Sequence, residues 1–154
     1  MELQNKKEIN YYISIANMAL KESNVDFAIE NYEMVLKDEP NNIIALHNLG
    51  VCYLMKNEYS KAADFFRKAI NNGFNSEETN FYLMKALFES GKYEECIKIK
   101  VNEMYFMEMN MLLLRSYLKL KEFSKASEIL NLLKLNGFSN QELNLIEQII
   151  KIKK

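Results

Sequence analysis

From residue 6 onward apolar side chains return every three to four positions, with short polar interruptions, the period of helices that each bury one face. The pattern predicts helices over about residues 6–22, 25–38, 42–56, 59–72, 77–90, 93–104, 107–120, 123–136 and 140–152. The breaks carry end signals. Asn5-Lys6-Lys7-Glu8 and Ser139-Asn140-Gln141-Glu142 have capping-box spacing, and Asn75 or Ser76 is placed to cap the fifth helix. Gly73 and Gly137 follow the fourth and eighth helices, where a left-handed residue is wanted, and Pro40 stops the second. Helices of this length joined by so few residues fold back on themselves, so the expected unit is the antiparallel helix hairpin.

The hairpins repeat. Ala28, Ala62, Cys96 and Ala126 align at intervals of 34, 34 and 30 residues. Val25, Tyr59, Tyr93 and Phe123 stand three positions upstream of them. Ala19, Tyr53, Leu87 and Tyr117 stand nine upstream. Ile15, Leu49, Leu83 and Leu113 stand thirteen upstream, each followed by a small or medium residue at Ala16, Gly50, Met84 or Leu114. Tyr32, Phe66 and Leu130 follow the aligned residue by four, and Lys100 breaks that column in the third copy. Each column has a physical role. The small residue lets the second helix press against the first, the aromatic fills the gap between hairpins, and the leucines form the seam inside one. A single hairpin cannot bury its own apolar face, so successive hairpins stack.

In the run Tyr12, Ile15-Ala16, Ala19, Ala28, Tyr32, Pro40, and again in Leu46, Leu49-Gly50, Tyr53, Ala62, Phe66, Ala69, the chain resembles the tetratricopeptide repeat. The resemblance implies an all-α, right-handed superhelical solenoid of antiparallel helix hairpins in a single domain over 1–154. Its repeats would cover about 9–42, 43–76, 77–106 and 107–138, the third four residues short, with a terminal helix at about 140–152. It also implies that the first helices line a concave face that takes a peptide or a helical segment of another protein. Carried over by position, that groove would be Ile13, Asn17, Ile44, His47, Asn48, Val51, Phe81, Tyr82, Lys85, Met111, Leu112 and Arg115. Phe81-Tyr82 and Met111-Leu112 would form an apolar floor, with Lys85 and Arg115 flanking it to take a carboxylate. The alternative is that Phe81 and Met111 only pack on neighbouring first helices. The family's carboxylate-gripping mode uses two asparagines, found at Asn17 and Asn48. Its three basic positions are occupied here by Ile13, Glu78 and Tyr82, which argues against recognition of a chaperone tail.

Composition narrows the chemistry further. Four glycines and one proline are too few to punctuate a sheet-rich fold. Twenty basic residues against 21 acidic give a formal net charge of −1, with no global attraction to nucleic acid or anionic lipid. The one basic cluster is the tail Lys151, Lys153 and Lys154, which suits a helix C-terminus. No leader-like or membrane-length apolar run is visible, and Cys52 and Cys96 form no ligand-spaced or redox motif. Both cysteines are expected to be reduced and buried, and the chain cytoplasmic. His47 is the single histidine and has no acidic neighbour one helical turn away; no glycine-rich phosphate loop occurs. No enzyme, metal or cofactor is therefore expected. The expected function is a protein-protein scaffold or adaptor. The alternative is a self-associating subunit that stacks through its terminal hairpins and last helix, including a homodimer through that helix. Leu143, Leu145, Ile146, Ile149, Ile150 and Ile152 cover about half of the last helix's circumference, consistent with a cap, a dimer contact or one piece of a longer array.

Overall fold

The computed structural model describes residues 1–153, and the side chains of all of them except residue 2; Lys154, the end of the basic tail, lies outside the described residues. The chain forms α1 (Glu2–Lys21), α2 (Val25–Asp38), α3 (Ile43–Met55), α4 (Tyr59–Asn71), α5 (Glu77–Glu89), α6 (Tyr93–Cys96), a 3-10 turn at Glu103–Tyr105, α7 (Phe106–Lys119), α8 (Phe123–Leu135) and α9 (Gln141–Lys153). Consecutive helices pair antiparallel and the pairs stack in sequence. The fold is the all-α hairpin solenoid expected from the columns.

Three helices start on an asparagine cap. The Oδ1 atoms of Asn24, Asn42 and Asn140 accept from the backbone N–H of Phe27, Ala45 and Leu143, at 3.4, 3.0 and 2.8 Å. Asn140, rather than Ser139, therefore caps α9. Ser76 stands at the start of α5 without a side-chain capping bond. The capping box expected at Asn5–Glu8 is not one, because α1 already begins at Glu2 and those residues lie inside it.

Every first helix leaves its hairpin through the same turn. Ser23, Asn57, Gly91 and Lys121 occupy one column and have φ of 60°, 60°, 77° and 60°. In each, the next residue's N–H returns to a carbonyl five positions back: Asn24 to Ala19, Glu58 to Tyr53, Lys92 to Leu87 and Glu122 to Tyr117. Only one of the four is a glycine, so three hairpins hold a left-handed conformation that a side chain disfavours.

Inside the hairpins, two columns exchange volume. Ala16 and Tyr32 are fully buried in the first pair, and in the second the buried Gly50 faces the fully buried Phe66. At Gly50 the fit is so close that a Cβ would stand 2.6 Å from the Phe66 ring. In the third pair the fully buried Met84 stands at the small-residue position, and in the fourth Leu114 and Leu130 belong to one core cluster.

The helix expected over 93–104 is four residues long. Beyond Cys96 the chain makes one further turn, with Ile97 at φ −68° and ψ −12° and Lys98 N–H bonded to Glu95 O, and it leaves the helical path from Ile99, where β-branched and charged residues alternate. Ile97, Ile99 and Val101 are half-buried while Lys98 and Lys100 are exposed, and Ile99 and Val101 pack on the core. The segment then runs back along α5. Asn102 donates its backbone N–H to Glu77 Oε2 at 2.8 Å, and the Tyr105 ring stacks on Phe81 at 4.6 Å with 5° between the planes. Here the core divides, one cluster spanning α1 to α6 with Leu112, and the other spanning α7 to α9.

The last helix repeats α5 at an interval of 64 residues. Gly73-Phe74 and Gly137-Phe138 make the same turn, with φ of 94° and 81° at the glycines. Phe74 N–H bonds to Ala69 O and Phe138 N–H to Leu133 O, 64 positions apart in both partners. In that register Leu83, Met84 and Leu87, on which α5 seats its hairpin, become Glu147, Gln148 and Lys151 in α9. Glu147 is bound instead by Lys134 at 2.8 Å and Lys151 at 3.3 Å. The seam surface of α9 is thus polar, whereas Leu143, Ile146 and Ile150 bury themselves in the second core.

Candidate protein-binding face

The first helices α1, α3, α5 and α7 supply the twelve residues singled out from the sequence. A pocket of about 320 Å³ lies between α5, α7 and the start of α9. It brings together Phe81 and Lys85 from α5 with Met111, Leu112 and Arg115 from α7. Met107, Glu89, Glu108, Asn140 and Glu142 complete its wall. Met111 and Leu112 are each only 7% exposed, so the floor is the core itself coming to the surface, while Met107 is 38% exposed at the rim. Phe81 is fixed from behind by the stacked Tyr105, which the short α6 brings there.

The other seven residues lie outside this pocket. Ile13 and Val51 are half-buried against the first core, and Ile44 is exposed. Asn17 and Asn48 bond to one another and to the fold: Asn17 Oδ1 accepts from Tyr32 Oη and from Asn48 Nδ2, the latter at 3.3 Å. His47 is buried, with Nδ1 2.9 Å from Thr79 Oγ1 and its ring among Phe66, Phe74 and Tyr82. Burial holds its pKa below the ordinary histidine value, partly opposed by the Glu78 charge. Tyr82 donates to Glu78 Oε1 at 2.9 Å, and burial with that carboxylate pushes its pKa up to about 12.

Electrostatics at the pocket differ from those expected. Arg115 meets Glu142 in a two-pronged contact, Nε to Oε1 at 2.7 Å and Nη2 to Oε2 at 2.8 Å. Each ion favours the other's charged form, the Arg115 pKa moving up and that of Glu142 down. Arg115 therefore ties α7 to α9, and two of its donors are engaged before any ligand arrives. Lys85, Glu89 and Glu108 face solvent, and no ion pair joins them to the other described residues. Sequence reasoning missed Glu108 and Glu142 because an acidic residue in a first turn looks like an ordinary answer to the helix dipole. The 64-residue register, which aligns Glu78 with Glu142, was the signal that would have found the latter.

Catalytic chemistry finds little to work with. Among the described residues no group of three or more histidine, cysteine, aspartate or glutamate side chains is placed to hold a metal ion. Cys52 and Cys96 are free and buried; burial pushes the Cys52 thiol up to about 12 and raises Cys96 as well, so neither is a thiolate near neutral pH. No described helix is long and apolar enough to cross a membrane.

Known structures share this architecture. The MamA protein superposes with a TM-score of 0.74 over 82% of this chain and 71% of its own, at 24% identity. YrrB, described as a TPR protein with an unusual peptide-binding site, gives 0.65 over 78% of this chain and 64% of its own, at 17% identity. PilF of Pseudomonas aeruginosa gives 0.63 over 97% and 70%, at 19% identity. These likenesses establish the fold as that of tetratricopeptide-type hairpins. A family profile described as anaphase-promoting complex, cyclosome, subunit 3 matches residues 21–103, from the end of α1 to the 3-10 turn after α6. That match covers more than half of the sequence, and the chain belongs to the anaphase-promoting complex, cyclosome, subunit 3 family.

Proposed function

We propose that this protein is a non-enzymatic interaction scaffold that holds a segment of another protein against the face lined by its first helices, centred on the pocket between α5 and α7. The observation that carries this reading is the pocket's build. A floor of core residues, Met111 and Leu112, opens to solvent beside Phe81, with charged side chains only at the rim. Such a floor takes an apolar anchor side chain, and the rim orients the segment that bears it. Similarity to YrrB, whose description names a peptide-binding site, supports the same use. A cytoplasmic setting suits the two free thiols.

The test is affinity capture by the intact chain against a variant carrying Met107→Asp and Lys85→Glu, two rim positions that leave the buried floor in place. Equal helicity of both proteins by circular dichroism is the control. A partner held directly by the wild type, with binding weakened about tenfold or more in the variant, is the expected outcome for a lesion at an apolar anchor site. Undiminished binding by the variant would move the interaction away from α5 and α7.

A further inference from the structure

Each first helix after α1 sits on the hairpin before it through the same three columns. In α9 these are Leu143, Ile146 and Ile150, all buried in the second core. In α5 they are Thr79, Tyr82 and Ala86, which are buried or half-buried. In α1 they are Tyr11, Ser14 and Met18. No hairpin precedes these among the described residues, and all three are exposed, Tyr11 by 61% and Met18 by 59%. The end of a helical stack that meets only water is ordinarily polar. The other end carries a matching stripe. In the columns of Ile13, Asn17 and Leu20, α9 has Leu145, Ile149 and Ile152, all exposed. Two contacts inside the chain show how the two sets of columns meet. His47 Nδ1 of α3 lies 2.9 Å from Thr79 Oγ1 of α5, and Asn48 Nδ2 of α3 donates to Asn17 Oδ1 of α1 at 3.3 Å. The first joins the column of Leu145 to that of Tyr11, and the second joins the column of Ile149 to that of Ser14.

We infer that α9 of one copy docks on α1 of a second copy, with Leu145 against Tyr11, Ile149 against the small Ser14 and Ile152, one turn further on, against Met18. The occupant follows from the chain's own joints. Between internal first helices these columns bring polar partners together, His47 with Thr79 and Asn17 with Asn48. At the two free ends the first of these pairs is apolar on both sides, Leu145 and Tyr11, and exposed apolar groups gain by covering one another. First helices run parallel within the chain, so a second copy placed this way continues the stack in the same direction. Pairing of two like ends would be antiparallel, a joint that first helices make nowhere among the described residues. The contact is therefore head to tail and leaves a free end on each side for further copies. Because α9 has no second helix beside it, one helix meets one helix, and the association is weaker than an internal joint. Charges of both signs flank the stripes: Lys7, Glu8, Lys21 and Glu22 on α1, and Glu142, Glu147, Lys151 and Lys153 on α9. Glu142 and Glu147 are already held by Arg115, Lys134 and Lys151, so the joint rests on apolar contact. The inference concerns the ends of the stack and does not depend on the pocket between α5 and α7.

The test is sedimentation velocity of the full chain over a wide range of concentration, alone and with one end blocked. The wild type is expected to grow in mass with concentration beyond a dimer, and to do so as well in high salt as in low. Tyr11→Asp blocks the α1 end and Leu145→Asp the α9 end, and each alone should weaken association about tenfold or more. Mixed together, the two variants should form a one-to-one dimer and nothing larger, because the mixture retains one intact α9 stripe and one intact α1 face. Both substitutions are at exposed positions, and unchanged helicity and thermal midpoint show that the fold survives. If either variant melts early, Met18→Asp and Ile152→Asp replace the pair on the same two exposed faces. A wild type that stays monomeric at every concentration overturns the inference. So does a dimer that one of the two variants retains in full, since that is a twofold contact of like ends, and so does a mixture of the variants that fails to associate.

Discussion

The second and third hairpins begin alike and end differently. α3 and α5 are both 13 residues long and end in the same left-handed turn, yet α4 runs for 13 residues and α6 for four. In the second hairpin a glycine gives up its volume so that Phe66 can fill the seam. In the third there is no aromatic to admit, and the fully buried Met84 stands at the small-residue position, with Cys96 Sγ donating to its carbonyl at 3.4 Å. The shortened helix frees nine residues, 97–105, to run back along α5 and place Tyr105 behind Phe81. The less regular hairpin is therefore the one that builds the proposed binding face. A repeat can depart from its pattern wherever another residue takes over the lost packing, and the departure then becomes available for recognition.

The largest expected effect tests whether that exchange of volume is real. Phe66→Ala removes a fully buried ring that also packs against His47 and Tyr82, and it should cost about 3–5 kcal/mol by urea denaturation. Gly50→Ala should cost about 1–3 kcal/mol, since its methyl group would stand 2.6 Å from the ring. In the Phe66→Ala background the same methyl enters empty space, and its cost should vanish or reverse. The two changes are then strongly non-additive, by about 1–3 kcal/mol. Additive costs would mean that the columns are filled independently and that Met84 does not replace an aromatic.

Much of this comparison was legible beforehand. The columns ending in Ala28, Ala62, Cys96 and Ala126 pointed to stacked helix hairpins, because a seam that must be buried restricts residue size at a fixed spacing. The aligned residues are all fully buried. The end of α6 was misplaced, although Lys100 already broke its column, because Ile97 and Val101 fit a helical period as well as an extended one. At the site, Phe81, Lys85, Met111, Leu112 and Arg115 do converge. The buried position of His47 and the mutual bond of Asn17 and Asn48 were not legible, since both depend on which rings and amides the neighbouring helices bring. Glu108 could not be separated from a solvated face until α5 was set beside it.

A smaller effect separates the turns of the same two hairpins. Asn57 and Gly91 hold equivalent left-handed positions, and a Cβ at Gly91 would meet nothing within 4 Å. Gly91→Ala should therefore destabilise by about 1 kcal/mol through backbone conformation alone. Lys121→Gly, at the equivalent turn of the fourth hairpin, should stabilise by a similar amount, about 1 kcal/mol. Asn57→Gly should gain less, because asparagine tolerates this conformation better and its Oδ1 also accepts from Tyr59 Oη at 2.8 Å. Thermal melts of the three variants give the ranking. Equal shifts for lysine and asparagine would show that the turn is set by tertiary packing rather than by local preference.

The smallest effect lies at the junction of the two hairpins, where His47 of α3 meets Thr79 of α5. Buried among Phe66, Phe74 and Tyr82, the imidazole is held below its ordinary pKa by desolvation, with Glu78 opposing the shift. In the unfolded chain it titrates at the ordinary value of about 6.5. Above that pH both states are neutral and the packing contributes in full. As the pH falls below it the unfolded state takes up the proton first, so stability declines until the pH has passed the lower folded-state pKa. Urea midpoints should therefore fall as the pH drops from neutral through the ordinary histidine value, and His47→Gln should remove that part of the slope. The neutral amide can still bond to Thr79, so a steady loss across the pH range with unchanged slope would show that the decline belongs to surface carboxylates. A slope abolished by His47→Gln would instead place the acid-sensitive contact where the regular hairpin joins the shortened one, and would show that the two are held together by a neutral histidine.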